Sequence, residues 1–456
     1  MENNRENIMG TKPVNSLLVG MAVPIMLSML VQALYNIVDS VFVSMLSENA
    51  LTSVSLIFPI QNLMISVAVG TALGVNAVLS RRLGEKDFAA ANRVADNGIF
   101  LALLSAIAFA ILGLTCSKLF MSSFTSDPEI LSMGADYMAI VTIFSLGIFM
   151  QCMLERIIQV TGKTFYQMVI QLVGAVVNII LDPILIFGLC GLPKMGVAGA
   201  AIATVLGQTV SMIIGFYLNA TKNHEVKITF KGFRPCARTI KNIYQIGVPS
   251  IIMQSIGSVM TFGINKILIV FSSTAVSVFG IYFKLQSFVF MPVFGVTSAL
   301  VPIVGYNYGA QRPKRILQAV RMALIMCVGI MTIGLIMFEV APELLLSMFN
   351  ASPSMLEIGV PALRIIAISF VFAGASIVAS SMFQALGEGM HSLIMSVVRQ
   401  LVVLLPAAYI WAKLFGLSAV WWSFPTAEIA AFMLTIVFSF KTYRTILKPM
   451  MDKEMK

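Results

Sequence analysis

The strongest constraint on this chain is a rhythm of apolar stretches, each roughly 20 to 30 residues long, separated by short polar joints. A helix rising about 1.5 Å per residue needs roughly 20 residues to cross a hydrocarbon core of about 30 Å. No water is available there, so every backbone N–H and C=O must find its partner inside a helix or a closed barrel. Barrel strands would read as short alternating segments, which this sequence lacks. Composition agrees: 58% of the residues are hydrophobic and 11% are charged, where a soluble domain carries about 25% charge. The pattern predicts an all-α membrane protein with spans at 14–44, 51–79, 92–116, 133–160, 164–189, 195–219, 241–271, 275–303, 316–340, 358–385, 391–414 and 418–441. The first of them is too long for the apolar region of a signal peptide and is expected to be retained.

A net charge of +10 invites a nucleic-acid reading, but its distribution argues otherwise. With the N-terminus in the cytoplasm, the inner segments collect 23 positive residues, from Arg5 and Lys12 through Lys231 and Arg234 to Lys456. The outer loops hold only Lys118, Lys194 and Lys413. This asymmetry is the positive-inside rule, and it predicts both termini in the cytoplasm and no nucleic-acid partner. The five cysteines show no pairing or ligand spacing, and His224 and His391 belong to no metal-like cluster.

Compared with itself at a shift of 225 residues, the chain repeats. Val23-Pro24 falls on Val248-Pro249, Gln61 on Gln286, Gly70 on Gly295, Gly84 on Gly309, Gln159 on Gln384 and Gly162 on Gly387. One gapless offset that hits mostly Gly, Pro and Gln marks an internal duplication. Six spans per copy is an even number, so both copies enter the membrane in the same orientation, related by a pseudo-two-fold axis along its normal. The expected organisation is an N-lobe over 1–219, a cytoplasmic linker over 220–240, a C-lobe over 241–441 and a cytoplasmic tail over 442–456. By analogy between folds, two similar lobes suit a transporter working by alternating access.

Three carboxylates fall well inside spans: Asp39, Asp182 and Glu428. An ionisable group at membrane depth costs several kcal/mol and is by default a functional candidate. Asp39 and Asp182 lie about five and seven residues from the outer ends of spans 1 and 5, hence about 8–11 Å deep. Asn178, four residues before Asp182, shares its helix face. Pro24 and Pro183 cannot donate backbone hydrogen bonds and are expected to free the carbonyls of Gly20 and Ile179 at hinges or kinks. Pro59, Pro292, Pro406 and Pro425 also fall within spans as expected kinks. Two carboxylates, an amide and loose carbonyls suit a proton or a hard cation such as Na⁺. In the second half the polar set differs: Glu428 with Lys266, Lys284, Arg364 and Arg399, read either as a structural ion pair or as part of a substrate or proton path. Asp39 and Asp182 have no acidic counterparts at the shifted positions Ile264 and Ala407. The 31 methionines and 31 phenylalanines suit a surface that accepts varied apolar molecules, although most of them must simply face lipid or other helices.

The run Asn178-Ile-Ile-Leu-Asp-Pro-Ile-Leu-Ile-Phe-Gly188 resembles the span-5 signature of the multidrug and toxic compound extrusion (MATE) family. The resemblance covers nearly the whole chain and is closest to the DinF-like branch and its MepA-type multidrug exporters. It extends to Tyr35-Asn-Ile-Val-Asp39, Arg82-Leu-Gly-Glu85, Gly199-Ala-Ala-Ile-Ala-Thr204 and Phe383-Gln-Ala-Leu-Gly387. It implies an antiporter without cofactor that exports amphipathic, often cationic drugs in exchange for H⁺ or Na⁺, with antibiotic resistance as a consequence. It further implies that Asp39, Asn178 and Asp182 form the coupling site with Tyr137 of span 4 and Thr204 of span 6, and that Pro24 is the span-1 proline of the family. The family's Na⁺-dependent branch carries acids in spans 7 and 10, where this chain reads Met253-Gln-Ser-Ile-Gly257 and Ala373-Gly-Ala-Ser-Ile377. Coupling is therefore expected in the N-lobe.

The expected protein is a monomeric exporter in the bacterial cytoplasmic membrane, partnered by lipid and small lipophilic or cationic substrates. A lipid-linked sugar flippase of the same superfamily is the alternative, kept open by Lys266, Arg364 and Arg399. An ATP-driven pump would need a phosphate-binding loop and an embedded enzyme a nucleophile with its base, and neither motif occurs. Cysteine-accessibility labelling is expected to find Cys236 and both termini on the cytoplasmic side; an external N-terminus would overturn the orientation and the depth argument together.

Overall fold

The computed structural model describes residues 7–229, 233–349 and 351–454; Arg5, Lys231 and Lys456 lie outside them. The described residues are almost entirely helical and contain no strand. Ten helices are long and apolar enough to cross a membrane, and two bent pairs complete twelve spans. The spans are 1, Val14–Ser44; 2, Glu48–Gly84; 3, Phe88–Ser122; 4, Pro128–Ile143 with Leu146–Val160; 5, Thr164–Phe187; and 6, Gly196–Lys222. In the second half they are 7, Ala237–Leu268; 8, Ser273–Gly309; 9, Pro313–Val340; 10, Pro353–Ala367 with Phe370–Ala385; 11, Gly389–Phe415; and 12, Leu417–Glu454.

The repeat is carried down to single caps. Ser47 and Ser272, one repeat apart, accept from the backbone N–H of Ala50 and Ala275 and start spans 2 and 8. Asp127 and Ser352 do the same for spans 4 and 10, each followed by a proline in the first turn. Left-handed backbone recurs at Lys86 and Gln311, at Gly162 and Gly387, and at Gly191 and Gly416.

Bends occur where the sequence had not placed them. Spans 4 and 10 bend by 43° and 48°, at Phe144–Ser145 and Ile368–Ser369, where no proline stands. Pro24, Pro59, Pro183 and Pro292 sit inside unbroken helices. Pro406 follows a π-helical stretch, Val398–Leu404, whose wider turn relieves the clash its ring makes with the preceding turn. Pro425 sits in the first turn of Ser423–Thr442, where its missing N–H costs nothing.

Two compact units divide the chain: one of Met1–Ile8 and Leu27–Ile251, the other of Met9–Met26 and Ile252–Lys456. The divisions fall inside span 1 and inside span 7, again one repeat apart. The first part of span 1, expected in the N-lobe, thus belongs to the second unit, and the first part of span 7 to the first. A matched contact seats each of these segments. In the first unit a Cβ on Gly70 would lie 2.8 Å from the backbone nitrogen of Ile251; in the second, a Cβ on Gly295 would lie 3.0 Å from that of Met26. Backbone cannot yield as a side-chain tip can, so glycine is required at both places. Gly70→Val and Gly295→Val are each expected to lower stability by about 1–3 kcal/mol, measured as thermal unfolding in detergent. Gly20→Ala, whose new methyl meets nothing within 4 Å, is expected to leave the midpoint unchanged.

Candidate functional site

The candidate site lies wholly within the first unit. Spans 5 and 6 approach closely because a Cβ on Gly207 would lie 2.7 Å from the carbonyl oxygen of Gly174. That approach brings Asn178 against Thr204, 26 residues away in sequence. The Asn178 amide is best satisfied with Nδ2 donating to Asp182 Oδ2 at 3.0 Å and Oδ1 accepting from Thr204 N at 3.1 Å and Thr204 Oγ1 at 3.3 Å. Asp182 is fully buried, Asn178 is 2% exposed and Thr204 is buried beside them.

Span 1 delivers the second acid. Asp39 is half-buried, and its carboxyl lies beside that of Asp182. Two ionised carboxylates offer only acceptors, so the two can bond each other only when one of them holds a proton. Asp39 Oδ1 is buried without a hydrogen-bond partner. Tyr35, one turn before Asp39 on the same face, brings its hydroxyl near Thr204. Tyr137 of span 4 is buried, and its hydroxyl accepts from Gln61 Nε2 at 3.0 Å. Both tyrosines lie within electrostatic reach of Asp39 and Asp182.

The structure therefore brings together Asp39, Tyr137, Asn178, Asp182 and Thr204, five residues from four spans. Pro183 follows Asp182 directly, while Pro24 belongs to the other unit. Sequence reasoning assigned no role to Tyr35 or Gln61; the four-residue spacing of Tyr35 from Asp39 was the available signal. It also passed over Glu155, a buried carboxylate in span 4 that accepts from Gln151 Nε2 at 2.9 Å. Among the described residues no group of three metal-ligating side chains occurs.

The second unit has its own polar pair. Arg399 Nη1 donates to Glu428 Oε1 at 3.0 Å, from the π-helical stretch of span 11 to span 12. Glu428 Oε2 is buried and has no hydrogen-bond partner. Lys266 does not join them: its ammonium lies 5.6 Å from the centre of the Phe262 ring. Arg364 approaches Glu339 at 4.0 Å, and Lys284 lies over Phe349.

A duplicated bundle of twelve apolar spans with buried polar groups at membrane depth defines a polytopic membrane transporter. The family model named MatE matches residues 24–184 and 249–410, and the chain belongs to that family. Its two matched stretches begin one repeat apart. Over 428 residues the chain is 26% identical to a protein named "Multidrug export protein MepA" from Staphylococcus haemolyticus, covering 93% of each. A protein of the same name from Staphylococcus aureus is 25% identical, with 91% of each covered. Among solved structures, an outward-facing multidrug resistance MATE family transporter of the MOP superfamily superposes with a TM-score of 0.91 at 25% identity, over 99% of this chain and 100% of the other. A MOP superfamily transporter from Pyrococcus furiosus, described as having a binding pocket of reverse polarity, also superposes with 0.91 at 26% identity, over 98% and 100%.

Removing one member of a buried ion pair strands the other, at a cost of up to about 3–5 kcal/mol where burial is complete. Arg399 and Glu428 side chains are 26% and 14% exposed, so Arg399→Met is expected to cost less than that but more than Glu428→Gln. The double variant Arg399→Met/Glu428→Met should recover most of the loss. Thermal unfolding of the three variants measures the coupling.

Proposed function

We propose that this protein is an ion-coupled exporter of lipophilic, often cationic drugs in a bacterial cytoplasmic membrane, working as a monomer with both termini in the cytoplasm. The observation that carries the reading is the carboxyl pair of Asp39 and Asp182, set beside each other and flanked by Tyr35, Asn178 and Thr204. Among the described residues no arginine or lysine forms an ion pair with it. A pair without a cation can be neutralised only by an ion that comes and goes. Two neighbouring carboxyls can share one proton, and this supports H⁺ as the coupling ion. No cofactor takes part.

The names of the relatives, multidrug export proteins, support the substrate class. The flippase alternative draws less support: of the basic groups that kept it open, Arg399 is held by Glu428 and Arg364 lies beside Glu339. Those partners offset the positive charge that a lipid-linked phosphate would need.

The test is ion-driven uptake of a fluorescent cation into inverted vesicles, with the H⁺ and Na⁺ gradients collapsed separately. Collapsing the H⁺ gradient should abolish uptake. Asp39→Asn and Asp182→Asn should each lose uptake against a gradient while expression and drug binding survive. The double variant should be no worse than either single one, because both carboxyls serve one site. Coupled uptake at full rate in Asp39→Asn would refute this site, and uptake driven only by Na⁺ would refute the proton.

A further inference from the structure

A cleft of about 440 Å³ opens in the first unit, outside the carboxyl site, and no polar atom lines it. Span 3 contributes Phe100 and Leu103, the second segment of span 4 Leu146 and Met150, and span 6 Met212 and Phe216. The connection between spans 6 and 7 adds Phe233, whose ring lies 5.6 Å from that of Phe100. Leu103 and Leu146 are 42% and 38% exposed, so the cleft opens outward from the unit. The bend at Phe144–Ser145 immediately precedes Leu146, the first of the two span-4 residues in its wall.

Water entering such a cleft would find none of the two to four polar partners it needs, so at membrane depth hydrocarbon fills it. The rim indicates which hydrocarbon. The connection carrying Phe233 is fastened to span 3 by its backbone: Lys227 N donates to Asn92 Oδ1 at 2.9 Å, Thr229 N to Asp96 Oδ1 at 3.0 Å and Cys236 N to Asn97 Oδ1 at 3.0 Å. Arg234 follows Phe233 directly and is exposed. Arg93, also exposed, stands seven residues before Phe100 on the same face of span 3, about 10 Å nearer the start of that span. Of the acids on these segments, Asp87 caps span 3 through Ala90 N, Asp96 is buried beneath Thr229 N and Glu225 accepts from Asn7, which leaves Arg93 and Arg234 as the exposed charges flanking Phe100 and Phe233. The cleft is thus apolar within and basic at its rim, which repels a cationic drug and suits a chain bearing an anionic head.

We propose that this cleft holds an acyl chain of an anionic phospholipid whose phosphate is met by Arg93 and Arg234. A lipid so placed bridges the inter-repeat connection to spans 3, 4 and 6. Its position in the inner leaflet rests on the orientation proposed above.

The test is native mass spectrometry of the full-length protein in detergent, offered phosphatidylglycerol and phosphatidylcholine with identical acyl chains. The wild type should retain phosphatidylglycerol in preference, by about fivefold for each arginine engaged. Arg93→Gln/Arg234→Gln should retain the two lipids equally. Leu103→Trp, which fills the cleft from an exposed position, should lose both, and Leu146→Ser should weaken both. Equal retention of the two lipids by the wild type would overturn the proposal, as would a preference that survives the double arginine variant. Displacement of lipid by tetraphenylphosphonium, equally in wild type and double variant, would make the cleft a drug site and overturn it too. None of these residues belongs to the carboxyl site, so vesicle uptake in the same variants separates failure of this proposal from failure of the exporter reading.

Discussion

Backbone hydrogen bonding without water is the condition on which everything else in this protein rests. Each unsatisfied N–H or C=O in hydrocarbon costs several kcal/mol, so the chain is helical wherever it crosses, apart from the short breaks within spans 4 and 10. Side chains obey the same accounting. Ser55, Thr115, Thr209, Ser287 and Thr332 turn their hydroxyls back to a carbonyl one turn earlier in their own helices. A hydroxyl satisfied in this way crosses the membrane at little cost and asks nothing of its neighbours. Carboxyls cannot do so, having no donor when ionised, and must recruit partners from other spans. That difference explains why the spans are numerous and uniform while the polar sites are few and assembled from several helices.

The repeat shows what duplication can and cannot conserve. Caps, left-handed turns and the Gly70 and Gly295 contacts recur because they are demanded by backbone geometry, which both copies share. Such features were legible as a gapless self-match, and hydropathy alone placed all twelve spans. The ends were misplaced by several residues because hydropathy reports the hydrocarbon, whereas the helix continues past it. Span 2, read as 51–79, runs from Glu48 to Gly84, and Arg81 and Arg82 pair with Glu85 at its end. The bends of spans 4 and 10 were not legible, since Phe144–Ser145 and Ile368–Ser369 carry no residue that breaks a helix by itself. Their common place in the two copies indicates that tertiary packing produces them.

Within the candidate site, legibility followed the cost of burial. Asp39 and Asp182 stood out because an acid in an apolar stretch is expensive, and Asn178 followed from its spacing. Tyr137 and Thr204 were reached only through family resemblance, since a tyrosine or threonine in a helix is cheap and common. Tyr35 and Gln61 escaped for the same reason, although Tyr35 stands within electrostatic reach of the acids and Gln61 holds the Tyr137 hydroxyl. Glu155 escaped differently: with Arg156 beside it near a helix end, it reads as part of a solvated border.

The two copies have diverged where charge is concerned. At the repeat-related positions of Asp39 and Asp182 stand Ile264 and Ala407, and at those of Arg399 and Glu428 stand Gly174 and Ala203. Gly174 is one turn from Asn178 and Ala203 adjoins Thr204, so both units gather polar chemistry on the same paired helices, spans 5 with 6 and spans 11 with 12. They neutralise it by different means. The second unit balances one acid with one arginine, and that balance is permanent, because a guanidinium does not deprotonate in proteins. The first unit sets acid against acid, and under the proposed function the balance is left to a small cation. Under the exporter reading, this places ion exchange in one copy and leaves the other free to keep a constant charge through the transport cycle. Buried charge without a fixed partner is costly in every state but one. A transporter can use that cost, since a site that is unstable when empty of its ion is a site that drives the protein toward the conformation in which the ion can be reached.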